Sequence, residues 1–160
     1  MLDHFGDTED ADNAHWVAWT CGLAPDAVAD FSTPVALARK AAESYPTSVV
    51  CLHALGAVLY RAGKFEEAIQ RLTEADQLIQ DADEEPLSSP AYTWFFLAMA
   101  HQAHGQAEEA KKWFEKAAAW TDKVIEGDET KGGARLAWNR RLTLKLFRAE
   151  AADVLGIKEQ

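Results

Sequence analysis

The chain has 160 residues, enough for a domain with a substantial core, and 48% of them are hydrophobic, too many for a disordered tail. A net charge of −10 argues against a nucleic-acid binder, which needs a basic face to replace counterions. Ala is abundant, Pro is rare and β-branched runs are short, a balance that favours helix over strand.

Residues 1–11 are acidic and polar and lack the charged-then-apolar pattern of a signal peptide, so they are expected to form a flexible N-terminus. No apolar run approaches the ~20 residues of a membrane span, and a soluble, cytoplasmic protein is expected. Helices are predicted at about 12–22, 34–45, 48–61, 65–79, 90–103, 107–125 and 135–155. Thr33-Pro34 and Ser89-Pro90 read as an N-cap followed by a first-turn Pro, and Thr47-Ser48 can cap the helix after Pro46. Asp81–Ser88 is an acidic loop, and Gly132-Gly133 sets off the last helix. There Leu136, Leu142, Leu146, Phe147, Val154 and Leu155 give one broad apolar stripe, with Gly156 as the stop. Cys21 and Cys51 form no CxxC pair, and are expected to be buried free thiols in a reducing compartment.

Two stretches repeat. Leu52, Leu55, Gly56, Leu59, Gly63, Ala68, Leu72 and Ala75 have the same spacing as Trp94, Leu97, Ala98, His101, Gly105, Ala110, Phe114 and Ala117. Leu55 and Leu97 should fill the space between the two helices of a hairpin. Gly56, Ala98, Ala68 and Ala110 should sit where the partner helix backbone passes close. Gly63 and Gly105 should end the first helix of each pair at positive φ. Phe65 and Trp113 should add apolar cover from the second helices. A looser copy lies upstream, with Ala18, Cys21 and Gly22 on its first helix, and Pro34, Ala38 and Ala41 ahead of the closing Pro46.

This pattern resembles the tetratricopeptide repeat, W-x-x-L-G-x-x-Y…A-x-x-x-F, over roughly residues 14–155. The resemblance implies an all-α fold, a right-handed α-α superhelix of about three hairpins plus a C-terminal capping helix. Its parts would be a degenerate repeat at 12–46, repeats at 48–80 and 90–124, and the cap at 135–155, within a domain ending at 156. Leu23–Asp30, Trp94–His101 and Glu108–Trp113 also resemble the repeat region near the C-terminus of large planctomycete signalling proteins, many with a serine/threonine kinase domain or a β-propeller upstream. No Gly-rich phosphate loop and no HRD or DFG run is present, so any kinase would belong to the parent alone.

In similar proteins the first helix of each pair lines a concave groove that holds a peptide or helix. Carried onto this sequence, the groove positions are Trp16, Trp19 and Thr20; His53, Ala54, Ala57, Tyr60 and Arg61; and Tyr92, Phe95, Phe96, Met99 and Gln102. Trp19, His53, Ala57, Tyr60, Arg61, Tyr92, Phe95, Met99 and Gln102 are the candidate partner contacts. Similar proteins that clamp an acidic C-terminus use Lys and Asn where this chain has His53, Ala57, Phe95 and Met99, so an apolar peptide or amphipathic helix is expected instead. The bland reading is that Trp19, Phe95 and Phe96 simply pack against neighbouring helices.

Charge divides the chain: residues 1–130 carry a net −14 and residues 131–160 a net +4. Arg135, Arg140, Arg141, Lys145 and Arg148 either dock the last helix on an acidic body or meet an acidic partner, and a homodimer is the alternative to a separate ligand. His101 with His104, and Cys51 with His53, are too sparse for a metal or thiol-hydrolase site. Asp81–Glu85 lacks calcium-loop spacing. The expectation is a non-catalytic protein- or peptide-binding module with no cofactor or metal, no nucleic acid and no membrane.

Overall fold

The computed structural model describes residues 2, 6–82, 89–130 (backbone only over 128–130) and 137–158. Every regular element among them is helical. The helices are α1 (Ala11–Gly22), α2 (Ser32–Ser44), α3 (Val49–Arg61), α4 (Phe65–Asp81), α5 (Pro90–Ala103), α6 (Ala107–Thr130) and α7 (Trp138–Leu155). They form two compact units, Met1–Ser88 and Ser89–Gln160. Lys131, Gly132-Gly133, Arg135 and Leu136 lie outside the described residues, as does most of the acidic loop.

Local chemistry explains the helix ends. Asp10 caps α1 by accepting from Asn13 N–H at 2.8 Å, and Ser48 caps α3 by accepting from Cys51 N–H at 3.4 Å. α2 starts at Ser32, not at the Thr33 cap expected from sequence: the Asp30 carboxylate accepts from both Ser32 N–H (2.9 Å) and Oγ (2.7 Å), and Pro34 falls inside the first turn. Gly63, Gly105 and Gly156 have φ of +74°, +82° and +68°. Each is followed by a Schellman bond: Lys64 N–H to Leu59 O (2.9 Å), Gln106 N–H to His101 O and Ile157 N–H to Ala152 O (both 2.8 Å).

In the first unit α1 packs on α2 and α3, α2 on α3, and α3 on α4. The α3–α4 contact is built as the spacing predicted, with one difference. A Cβ at Gly56 would collide with the Leu72 side chain, 2.6 Å from Cδ2, rather than with helix backbone. Ala68, Leu72 and Ala75 have no exposed surface. Gly22 does the same work between α1 and α3, where an added Cβ would lie 3.3 Å from Ala57 Cβ. In the second unit α5 packs on α6 and α7, and α6 on α7. Its core holds Phe95, Phe96, Leu97, Met99, Leu144 and Phe147. Phe147 stacks edge-on against Phe96 (5.0 Å) and Tyr92 (5.5 Å) and so fastens α7 to α5.

Candidate functional site

The first unit presents a strip of aromatic side chains from α1 and α3. Asp12, Trp16, Trp19 and Leu23 follow one another at three- and four-residue steps, so they share a face of α1 and its C-terminal end. Trp16 is 63% exposed, Leu23 is exposed and Trp19 is half-buried. Trp19 leans on His53 of α3, with ring centroids 4.6 Å apart. At the end of α3, Arg61 donates from Nε to Gly22 O at 3.1 Å, tying the ends of α1 and α3 together, and its guanidinium lies 5.4 Å from the Tyr60 ring centre. Tyr60 and Arg61 are half-buried. Beside Arg61 a surface pocket of about 470 Å³ is lined by Asp30, Phe31, Val35, Ala62 and Lys64, a small apolar floor between opposite charges.

His53 is fully enclosed beneath this strip. Loss of water pushes its imidazole down to about 3, with the neighbouring His15 adding to the effect. His15 on α1 is lowered too, by burial against the opposing pull of Asp12. Both rings are therefore neutral packing groups at physiological pH. Burial likewise raises the Cys21 and Cys51 thiols, and both cysteines are free.

Five of the groove candidates are buried. His53, Ala57, Tyr92, Phe95 and Met99 have between 0% and 6% of their surface exposed. His53 sits under Trp19, and Ala57 faces Gly22. Tyr92 stacks on Phe147, and Phe95 lies 6.0 Å from the Phe114 ring. A partner cannot touch these groups while the units stay closed. Trp19, Tyr60, Arg61 and Gln102 keep partial exposure. His101 is half-buried, its Nδ1 lying 2.5 Å from Gln106 Oε1.

The basic candidates on α7 divide as well. Arg148 pairs with Asp122 of α6, and Arg140 donates to Ser89 Oγ at 3.1 Å, so both help to seat α7 within its own unit. Arg141 is half-buried and Lys145 exposed, while Arg135 lies outside the described residues.

The apolar residues of α7 do not form the single stripe expected from sequence. Leu144, Phe147 and Ala151 face inward, whereas Trp138, Leu142 and Leu146, at four-residue steps, are 78%, 48% and 56% exposed. They make an outward ridge that the sequence reading missed. Its signal is the i, i+4, i+8 spacing of Trp138, Leu142 and Leu146, which the adjoining Phe147 obscures in sequence.

Among the described residues no group of three or more His, Cys, Asp or Glu is arranged to hold a metal ion. None of the described helices is long and apolar enough to cross a membrane. Residues 49–82, spanning α3 and α4, match a family model described as tetratricopeptide repeat, and residues 91–123, in α5 and α6, match a second model of the same description. No curated protein matches the chain.

Proposed function

We propose that this chain, which carries two tetratricopeptide repeats in an all-α fold of that type, is a non-catalytic interaction module that takes an apolar peptide or amphipathic helix on the α1–α3 face of its first unit. Tetratricopeptide repeats are in general protein-binding modules. The observation that carries the finer reading is the strip itself. Trp16 keeps 63% of its surface in water on the α1 face that it shares with Trp19, and tryptophan is among the residue types that dominate binding energy at protein interfaces. The strip narrows the groove anticipated from the repeat pattern, because the α5 positions Phe95 and Met99 serve the core. On this reading α1 and α2 are a degenerate third copy and α7 is a cap. Membership of a larger signalling protein rests on the resemblance of Leu23–Asp30, Trp94–His101 and Glu108–Trp113 alone.

Selection of displayed 12- to 20-residue peptides against the chain tests this reading. Enriched apolar peptides should lose about tenfold or more in affinity on Trp16→Ala, as expected for an aromatic anchor worth 1–3 kcal/mol, with helix content unchanged. Peptides that bind the Trp16→Ala chain equally well, or a library that yields none, would reject it.

A further inference from the structure

We infer that the chain associates head to tail with a second copy of itself, the α7 ridge of one copy lying on the α1 face of the next. This inference rests on the binding face proposed above and names its occupant.

The two faces are complementary in chemistry. The α7 ridge exposes Trp138, Leu142 and Leu146. From Trp138 to Ala149 the helix carries four cations and no acid, and Lys145 stands exposed between Leu142 and Leu146. The α1 face exposes Trp16 and Leu23. Its leading end is acidic, with exposed Glu9, Asp10 and Asp12. The remaining large apolar side chain that is exposed among the described residues is Tyr45, so the exposed large apolar side chains lie mostly on α1, its C-terminal end and α7.

Charge also selects the pairing mode. An isologous contact of α7 with α7 would bring the cations of both copies onto one contact, and a parallel contact of α1 with α1 would oppose the acids at its leading end; like charges at a contact disfavour both. Apolar patches of opposite charge, one in each unit, fit the heterologous arrangement, which runs on into a ring or a chain of copies. A helix-on-helix contact is smaller than the roughly 1,200–2,000 Å² of stable complexes, so weak, concentration-dependent association is expected.

Sedimentation velocity on the full chain tests this, over a range of about 10 µM to about 1 mM, where small interfaces assemble. The native chain should show a weight-average sedimentation coefficient that rises with concentration. A head block, Trp16→Glu, and a tail block, Leu142→Glu with Leu146→Glu, should each abolish the rise. An equimolar mixture of the two blocked chains should recover a species of two chains and nothing larger, because one good head and one good tail remain. All changed positions are exposed, so circular dichroism should match the native chain. If the tail block loses helix, Trp138→Glu alone serves in its place. A native chain that stays monomeric throughout overturns the inference. So does a head-blocked chain that still associates, or a mixture of blocked chains that fails to pair. Selected peptides that bind at Trp16 while the chain remains monomeric would remove this inference and leave the proposed function standing.

Discussion

Replacing Gly56 by alanine tests the close approach on which the α3–α4 hairpin is built. The new Cβ would run into Leu72 Cγ and lie 2.6 Å from Cδ2, and Leu72 is completely buried, so it has no open surface into which to swing. Forcing a methyl group into a packed core costs about 1–3 kcal/mol. Exchanging a mid-helix Gly for Ala returns about 1 kcal/mol of helix propensity. The collision wins, and Gly56→Ala should destabilise by up to about 2 kcal/mol. Leu72→Ala alone should cost about 2–5 kcal/mol by opening a cavity. In that background the added methyl enters emptied space, so Gly56→Ala should stabilise by about 1 kcal/mol. The double-mutant cycle therefore closes with a coupling of about 1–3 kcal/mol. Urea titrations of the four chains supply the numbers, and following both tryptophan emission and far-UV circular dichroism checks for separate unfolding of the units. Trp16 and Trp19 are the tryptophans of the first unit, where the change is made. Additive effects within about 0.3 kcal/mol would refute the argument that Leu72 is why position 56 is glycine.

Acid should weaken the first unit through His53. The folded imidazole is pushed down to about 3, whereas an unfolded one titrates near 6.5. Below about pH 6.5 the unfolded chain binds a proton that the folded chain refuses, so stability falls as pH falls and is undiminished above that range. At pH 5 the loss from His53 alone is about 2 kcal/mol. His15, shifted the same way, adds to it. The paired carboxylates Glu9, Glu67 and Glu109, held low by lysine or arginine partners, give way only at more acid pH. Unfolding free energies from urea titrations at pH 7 and pH 5 should converge by that amount in His53→Gln, and an unchanged pH dependence would overturn the assignment. Phe95→Ala should destabilise the second unit by about 3–5 kcal/mol, as cavity formation at a fully buried phenylalanine requires. A lost partner contact with undiminished thermal stability would restore Phe95 to the binding surface.

The fold was legible where one residue type answers to one physical demand. Gly63 and Gly105 occupy left-handed turns, and the Gly56, Ala68, Leu72, Ala75 series reads directly as a tight hairpin seam. What could not be read was which side of an apolar helix meets a neighbour. α5 is buried along Pro90–Ala100, so Tyr92, Phe95 and Met99 have the composition of a binding groove and the burial of a core. α7 posed the converse difficulty. Its leucines occur on both faces, and periodicity alone cannot say that Leu144 points in while Leu142 and Leu146 point out. Repeat position assigns His53 and Ala57 to a groove, whereas Gly22 lets α1 settle close over Ala57 and Trp19 lies on His53.

Cys21 and Cys51 retain 1% and 3% of their surface, both lie in the unit that ends at Ser88, and burial holds both in the thiol form. A thiol-specific reagent will therefore modify this protein only as fast as α1 and α3 part. Its labelling rate becomes a clock for the breathing of one half of the molecule, blind to the other, and anything that clamps the α1–α3 face should slow that clock.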